Sequence, residues 1–389
     1  MSPLIQAWSD EMPPQLAFLV TEDWYFMLHR LPMARAAQRA GFQVHVMTRV
    51  DRHGPAIAAE GFQLHPVHWR RGSLNPWHVL RTVWEVRGLY RTIRPDVAHH
   101  VAMLPTIAGS LAALRLPVMC LNAITGLGAT FTSETAQIRA MRFVLTALLR
   151  PLLGRDRAAV LVENGDDQRA MIGLGIKPER VILVPGSGVD VNVLKPMPEP
   201  DGPVTIGFAS RLLHSKGLPT LVAAHDRLQR RGRHVRLMIA GIPDPANPSS
   251  ISSEELAAWK SKPDLQFLGF VENIATVWAA AHIAVLPSRG GEGVPMSLLE
   301  AAACGRPLIT TDTPGCRDAA RDGINGFVVP PDDPDKLADA IDRLATNPEL
   351  RRTFGQRSRE IAEKEFSSER VGREVVALYQ WLLGIGSTN

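Results

Sequence analysis

Residues 288–312 read SRGGEGVPMSLLEAAACGRPLITTD, and this stretch decides the fold class. The apolar run Ile283–Pro287 comes directly before it, and a second apolar run, Pro307–Thr311, closes it. Between the runs lie a glycine-rich segment and a helical pattern that opens at Pro295, an early helix position where a proline costs no hydrogen bond. A strand, a tight loop, a helix and another apolar strand in this order predict a parallel βαβ unit.

The same alternation of short apolar runs and amphipathic segments continues toward both ends of the chain. Its helical patterns include Pro32–Ala40, His78–Ile93, Ile138–Leu149 and Ser368–Leu383. The chain has 389 residues, which is more than the roughly 250–300 residues that a single core supports. We therefore predict an α/β protein with two facing, doubly wound, Rossmann-like domains and a cleft between them.

The boundary between the two halves is predicted at Pro196–Pro203. This segment reads PMPEPDGP, and its prolines and glycine fit neither a strand nor a helix. The resulting division gives an N-terminal domain over residues 1–198, a C-terminal domain over residues 199–366 and a last helical segment over residues 367–389.

Composition narrows the classes of function. The apolar share of 45% and the charged share of 21% are ordinary for a globular protein, and a net charge of +4 suits a phosphate-bearing or otherwise anionic partner. No basic stretch is interleaved with aromatic residues, so nucleic acid is not an expected partner. Cys120, Cys304 and Cys316 lack metal-ligand spacing and are predicted to be buried thiols in a reducing cytoplasm. The first residues do not resemble a secretory signal, and no apolar run approaches about 20 residues, so we expect any membrane contact to be peripheral.

Glu292 and Glu300 are the candidate ligand-binding carboxylates. Carboxylates accept hydrogen bonds from vicinal hydroxyls, so one could hold a ribose and the other a hexose. Gly291 and Gly293 allow a ligand to approach the backbone closely, and the N-terminus of the following helix offers N–H groups to a diphosphate. A glutamate on a helix is usually solvated. Glu300, however, lies in a helix that is apolar nearly all round, where a carboxyl group needs a partner.

Arg211 and Lys216 form a second candidate site in the loop that follows the predicted strand Val204–Ala209. Two cations five positions apart in a strand-to-helix loop can point at one anion, Arg as a fork and Lys as a compact charge. The alternative is that both are ordinary solvated cations.

These two segments resemble sequence elements of one enzyme family. The stretch from Gly291 to Pro331 is similar to the E-x7-E region of family 4 retaining glycosyltransferases, which have the GT-B fold, and Arg211 to Lys216 resembles the R-x4-K element of that family. The resemblance implies that Glu292 lies by the donor sugar, that Glu300 binds the ribose hydroxyls, and that both cations clamp the donor diphosphate.

Further donor contacts are implied by the same resemblance. The backbone of Gly293, Val294 and Pro295 would lie against the diphosphate or the sugar, and Phe270-Val271 would form the wall of the base site. The implied donor is a nucleotide sugar, with uridine diphosphate (UDP) ahead of guanosine diphosphate, and neither a cofactor nor a metal is expected. The last helix would cross back to the first domain.

The N-terminal half supplies candidate residues for the acceptor side. Three segments, WYFMLHRLP (24–32), PDVAHHVAMLP (95–105) and NAITGLG (122–128), resemble a subgroup that assembles bacterial polysaccharides and lipid-linked oligosaccharides. The polar and aromatic segment 21–32 is predicted to be an acceptor-facing loop. This chain lacks the Gly-Gly loop that many members carry after the first strand, and it has a threonine where many have a histidine. The acceptor-side candidates are Asp23, His29, His99, His100 and Thr125. For His99 and His100 a structural hydrogen bond is the competing interpretation, and His29 could instead cap its loop.

A basic face between Arg139 and Arg157 leaves two interpretations open. Its arginines recur at helix-compatible spacing and could rest on anionic lipid, or they could form a solvated face. We expect a cytoplasmic protein that lies peripherally on the inner face of the membrane. The members of the basic face are Arg139, Arg142, Arg150, Arg155 and Arg157.

The sequence favours one activity over two rivals. It predicts transfer of a hexosyl or N-acetylhexosaminyl unit, with retention of configuration, to a saccharide or lipid-linked acceptor. A nucleotide-sugar epimerase on the same fold would convert the donor without any acceptor, and a phosphorylase would need a cofactor-binding lysine context that this sequence does not show. A non-catalytic sugar-binding scaffold would have no need of a diphosphate clamp.

Overall fold

The computed structural model describes residues 13–69, 76–126, 146–147 and 149–385, and these residues form two compact units. Unit 1 takes the described residues up to Gly188 together with those from Ser368 onward. Unit 2 is the segment Val189–Ser367.

Unit 1 is built on a sheet of seven parallel strands with helices in the connections. Strands β4 and β6 are buried at every residue, as expected for parallel strands that are covered on both faces. The order of the strands in the sheet is β3-β2-β1-β4-β5-β6-β7. The strands are β1 (Gln15–Glu22), β2 (Gln43–Arg49), β3 (Gln63–Pro66), β4 (Val97–Val101), β5 (Met119–Ile124), β6 (Ala158–Val162) and β7 (Val181–Leu183), and the helices between them are α1 (Asp23–His29), α2 (Leu31–Arg39), α3 (Gly54–Ala59), α4 (Pro76–Ile93), α5 (Met103–Ala112) and α6 (Gly165–Gly173).

Unit 2 repeats this plan with six parallel strands in the order β10-β9-β8-β11-β12-β13. A single core cluster of apolar residues lies between its sheet and its helices. The strands are β8 (Thr205–Ala209), β9 (Arg236–Ala240), β10 (Leu265–Gly269), β11 (Ile283–Leu286), β12 (Leu308–Thr311) and β13 (Gly326–Val329), and the helices are α7 (Leu218–Arg230), α8 (Ser253–Lys260), α9 (Ile274–Ala280), α10 (Met296–Ala303), α11 (Cys316–Ala319), α12 (Pro334–Ala345) and α13 (Pro348–Glu365).

Each sheet reverses its strand order once, and these reversals mark where ligands are expected. In unit 1 the reversal falls between β1 and β4, and in unit 2 it falls between β8 and β11. Ligands of open parallel sheets bind outside the carboxyl ends of the strands at such a switch point. The predicted fold class, two doubly wound Rossmann-like domains, is confirmed.

The last helix, α14 (Ser368–Leu382), belongs to unit 1 although it follows unit 2 in the chain. Its apolar side, which includes Val371, Val375 and Leu378, joins the core cluster that contains β1. Gly372 faces Ala36 on α2, and a Cβ atom at position 372 would lie only 2.8 Å from the Ala36 Cβ. A small residue therefore lets the two helices pack closely.

The segment 196–203 lies inside unit 2, because side chains of that unit hold it. The Arg306 guanidinium donates to the Pro198 carbonyl at 2.8 Å, and Arg351 forms an ion pair with Glu199 at 2.8 Å. The division of the chain falls earlier, between Gly188 and Val189, and the second crossing falls between Ser367 and Ser368.

One predicted loop is a helix. The segment 21–32 contains α1 and the start of α2, because the Asp23 carboxylate fixes the first turn of α1: it accepts hydrogen bonds from the backbone N–H groups of Asp51 and His53 at 2.7 and 2.8 Å. The predicted helix 138–149 lies outside the described residues except for 146, 147 and 149. The three cysteines are free and buried, as predicted.

Candidate functional site

Two loops of unit 2 are locked together at the carboxyl ends of β8 and β11. The backbone N–H of Arg289 donates to the Ser215 carbonyl at 2.9 Å, and the Ser288 hydroxyl reaches the same oxygen at 3.2 Å. Gly217 has a φ of +74°, and a Cβ atom there would collide with the Pro287 carbonyl. Only glycine tolerates this close approach, so the two loops hold their side chains in fixed relative positions.

Lys216 and Glu292 form an ion pair across these loops. The Lys216 Nζ lies 2.6 and 2.7 Å from the two carboxylate oxygens of Glu292, and the Ser288 hydroxyl donates to Oε1 at 2.8 Å. The side chains of Lys216 and Glu292 are 18% and 11% exposed, so water screens the pair less than it would a surface pair. The structure therefore brings together one predicted cation and one predicted carboxylate, 76 residues apart in the chain.

Arg211 points to a different partner. Its Nη1 donates to Asp244 Oδ2 at 2.8 Å, and Asp244 is itself mostly buried after β9. Sequence reasoning missed both Asp244 and Ser288. Each comes shortly after a strand of the central sheet, so a search of polar residues at strand ends would have found them. The Arg211 guanidinium has further N–H donors and its side chain is 44% exposed, so it can contact an anion while it stays paired with Asp244.

The backbone around the glycine-rich segment is shaped by a second close approach. Gly315 has a φ of +77°, and a Cβ atom there would collide with the Gly293 carbonyl. Gly291 also has a positive φ, and Val294 is buried. Pro295 is the N-cap residue of α10, and its side chain cannot accept a hydrogen bond from the first N–H groups of the helix. Such an N-terminus favours an anion.

Glu300 is the predicted carboxylate without a partner. It is half-buried in α10, and the side chains beside it in sequence, Leu299 and Ala301, are fully buried. Burial raises the pKa of Glu300 from 4.5 to about 8, and no hydrogen bond opposes this effect among the residues that the structure describes. At neutral pH the carboxyl is therefore mostly protonated. A ligand that donates hydroxyl groups to it would stabilise the ionised form.

Phe270 and Val271 follow β10 at the carboxyl edge of the sheet of unit 2. The Phe270 ring is 75% exposed, whereas Val271 packs against the core cluster. An exposed aromatic ring held by a buried neighbour offers a face on which a planar base can stack.

In unit 1 three of the acceptor-side candidates are buried inside the fold. Asp23 accepts the backbone hydrogen bonds that fix α1. His99 Nδ1 lies 2.7 Å from the Tyr379 hydroxyl, and His100 bonds to Asn122 at 2.8 Å. Burial lowers the pKa of His99 well below 6.5 and that of His100 to about 4, so both rings are neutral. The structure thus favours the structural interpretation of His99 and His100, and it gives the Asp23 carboxylate a role within the core of unit 1.

His29 and Thr125 remain partly accessible, and Tyr25 lies between them. The ring centroids of Tyr25 and His29 are 4.3 Å apart, and the Tyr25 hydroxyl lies 3.4 Å from the Thr125 hydroxyl. These residues belong to α1 and to the residue after β5, so they line the carboxyl edge of the sheet of unit 1. Tyr25 was missed as a candidate because its segment was interpreted as an irregular loop.

The described chain carries neither a metal cluster nor a spanning helix. Within residues 13–69, 76–126 and 149–385, no three His, Cys, Asp or Glu side chains are grouped so as to hold a metal ion. Over the same ranges no helix has both the length and the hydropathy needed to cross a bilayer. Of the predicted basic face, Arg139 and Arg142 lie outside the described residues.

Two family models match the chain, one in each half. The model described as "Glycosyl transferase 4-like" matches residues 15–154, and the model described as "Glycosyl transferases group 1" matches residues 203–347. The second match contains the whole of the site formed by Lys216, Glu292 and Glu300.

Relatives match over nearly the full length. The N,N'-diacetylbacillosaminyl-diphospho-undecaprenol alpha-1,3-N-acetylgalactosaminyltransferase of Campylobacter jejuni is 22% identical over 90% of this chain and 94% of its own. Sucrose-phosphate synthase from Thermosynechococcus elongatus has a similar structure, with a TM-score of 0.80 at 20% identity over 96% of this chain and all of its own. HepE from Anabaena in complex with UDP-glucose aligns with a TM-score of 0.76 at 16% identity over 94% of this chain and 99% of its own.

Proposed function

This chain belongs to the family 4 glycosyltransferases of the GT-B fold, and from that premise we propose its reaction. It moves a hexosyl or N-acetylhexosaminyl unit from a nucleoside diphosphate sugar to a saccharide or lipid-linked acceptor. The observation that carries the proposal is the Lys216–Glu292 ion pair at the switch point of unit 2, followed in the chain by α10, which carries the unpartnered carboxyl of Glu300. In this proposal the diphosphate of the donor is the anion that Lys216 contacts, and the ribose of the donor supplies hydroxyls to Glu300.

Lys216 is proposed to stabilise the leaving diphosphate. When the bond between the anomeric carbon and the diphosphate oxygen breaks, negative charge grows on that oxygen. The Lys216 ammonium is already fixed by Glu292 and by the Gly217 turn, so little reorganisation is needed as the charge develops. Charge stabilisation that is organised in advance is usually the largest catalytic contribution. The N-terminus of α10 adds N–H groups, and Arg211 adds a second cation through the N–H groups that do not contact Asp244.

Glu292 is proposed to position the donor sugar. Both of its oxygens contact Lys216 and Oε1 also accepts from Ser288, so Oε2 is the oxygen with a further lone pair for a sugar hydroxyl. The acceptor hydroxyl attacks the anomeric carbon from the face that the diphosphate leaves and gives its proton to the departing diphosphate, so configuration is retained. In this scheme the two cations, Lys216 and Arg211, neutralise the leaving diphosphate in place of a metal ion.

Glu300 is proposed to hold the ribose. Two vicinal hydroxyls can donate to one carboxylate, and they offset the desolvation that raises the pKa of Glu300 to about 8. Phe270 supplies an exposed face for the base. UDP is the first nucleotide to test because the subgroup resemblance favours it.

A lipid-linked acceptor is proposed on the unit 1 side. The Campylobacter relative is named for a diphospho-undecaprenol substrate, and the accessible group of Tyr25, His29 and Thr125 lines the carboxyl edge of the sheet of unit 1. Such an acceptor would bring the protein to an anionic membrane surface on the cytoplasmic side.

A thermal-shift screen with UDP, guanosine diphosphate and their sugars, with and without magnesium, tests the donor proposal. The expected result is stabilisation by one diphosphate and its sugars that is independent of magnesium. A protein that is stabilised by none of them would contradict it. Conversion of the donor without an acceptor would instead indicate an epimerase.

A further inference from the structure

Helix α4 of unit 1 exposes a row of large apolar side chains. Trp77, Leu80 and Trp84 are 75%, 46% and 66% exposed, and their spacing of three and four residues places them on one side of the helix. The opposite side, with Val86 and Tyr90, is buried in the core. Two exposed tryptophans on one helix side are unusual for a surface that meets only water, because each ring presents a large apolar area.

Cations continue this row toward the end of the helix. Arg81, Arg91 and Arg94 are exposed, and together with Trp77, Leu80 and Trp84 they form what we call the tryptophan face. Two acids lie nearby, and both are engaged: the Glu85 carboxylate contacts His68 at 2.9 Å, and Asp96 accepts the backbone N–H of Gln15 at 2.7 Å. The face therefore carries positive charge around its apolar centre.

A basic cavity lies next to the segment that Arg87 of α4 contacts. Arg87 on α4 donates to the carbonyls of Ala112 and Leu114 at 2.7 and 2.8 Å, which joins the helix to the segment before β5. An open cavity of about 520 Å³ begins there, and Arg115, Arg155 and Arg157 line it together with one acid, Asp156. Arg155 is held in place by the Leu152 carbonyl at 3.1 Å and the Ser110 carbonyl at 3.3 Å.

We propose that the tryptophan face and the arginine cavity dock unit 1 on an anionic bilayer. Tryptophan rings favour the boundary between head groups and acyl chains, and arginines pair with lipid phosphates at the same depth. Charge complementarity selects an anionic lipid surface over a neutral one. This proposal names the surface for the membrane association proposed above and rests on it, but it does not depend on the transfer chemistry.

The test is co-sedimentation of the full chain with phosphatidylcholine vesicles that contain or lack phosphatidylglycerol. Wild type is expected to bind the anionic vesicles and to be released by salt. The double variant W77S/W84S should lose at least about tenfold in vesicle partitioning, because two apolar rings no longer insert. Removing Arg81 or Arg91 charge should cost about fivefold for each. The matched control is W381S, since Trp381 is 44% exposed on α14 of the same unit.

Three outcomes would overturn the proposal. One is equal vesicle binding by wild type and W77S/W84S, and another is an equal loss in W381S. The third is a wild-type dimer without lipid that W77S/W84S turns into a monomer, which would make a second copy of the chain the occupant of this face. A far-UV circular dichroism spectrum and a melting temperature equal to those of wild type show that the variants fold. Loss of UDP binding with intact vesicle binding would instead contradict only the donor site.

Discussion

The two sheets have the same topology, yet the polar groups at their carboxyl edges are treated in opposite ways. In unit 1 Asp23 and His100 at the strand ends are fully buried and hydrogen-bonded within the protein. In unit 2 Lys216, Glu292 and Glu300 stay partly exposed, and fixed loops hold the first two together. Fold alone therefore does not indicate where chemistry occurs. What distinguishes the proposed reactive edge is that its charged groups remain within reach of a ligand.

The largest expected effect comes from breaking a satisfied pair in unit 1. Arg30 and Glu163 form an ion pair of 3.0 Å with both side chains buried. The variant R30A removes a buried cationic partner of the Glu163 carboxylate, so the free energy of unfolding of unit 1 should fall by about 3–5 kcal/mol. The exposed pair Arg35–Glu60 is the matched control, and R35A should cost less than about 1 kcal/mol. Equal losses in denaturant titrations of both variants would contradict the assignment.

The next effect concerns the site of unit 2. The variant K216A removes the cation that is fixed at the leaving group, and turnover should fall by about 10²–10³-fold. Lys262 forms a similar ion pair with Asp226 of α7 at 2.7 Å. Neither residue belongs to the glycine-rich loop or to the loop that carries Lys216. K262A should therefore keep wild-type turnover. A steady-state assay in which the two variants lose activity to the same extent would refute the role of Lys216.

A smaller effect is predicted for the pH dependence of donor binding. Because the pKa of Glu300 is about 8 in the free protein, ligand hydroxyls must bind a carboxyl that is mostly protonated at neutral pH. If the ionised form is the one that binds, the dissociation constant for UDP should fall about tenfold for each pH unit from about 6.5 to 7.5. E300Q, titrated with the same ligand, should show no such slope. If wild type and E300Q showed the same pH dependence of the UDP dissociation constant, Glu300 would not take part in UDP binding.

The smallest effect is expected at Ser288. Its hydroxyl donates to Glu292 at 2.8 Å, and S288A removes this neutral-to-charged hydrogen bond without touching the ion pair. Turnover should fall by about 5- to 20-fold, as for the loss of one hydrogen bond of about 1–2 kcal/mol. A loss as large as that of K216A would mean that Ser288 itself contacts the donor.

Much of the fold could be predicted from the sequence because parallel strands buried on both faces leave continuous apolar runs. Those runs identified β8 and β11 closely. The exposed edge strand β3 was missed, since its four residues are largely exposed or half-buried and do not form an apolar run. Helix α1 was missed because the hydrogen bonds that fix it come from Asp51 and His53, which are distant in sequence.

The features of the site that lie within one continuous segment were predictable from the sequence. The contacts between side chains from different segments were not. The glycine-rich loop and Glu300 were recognisable because both lie within one βαβ unit. Which side chain Lys216 or Arg211 would contact could not be read from spacing, since Glu292 and Asp244 come from other strand ends. Likewise, the burial of His99 against Tyr379 depends on α14, 280 residues away.

The most direct test of the contrast between the two edges is titration calorimetry of UDP into four full-length proteins: wild type, K216A/E300Q, K262A and H100N. Saturable binding by wild type, K262A and H100N with loss of binding in K216A/E300Q is the predicted result. It would show that the partly exposed charged groups of unit 2 bind the nucleotide and that the buried histidine of unit 1 does not. Unchanged binding by K216A/E300Q, or its loss in a folded H100N, would contradict the account.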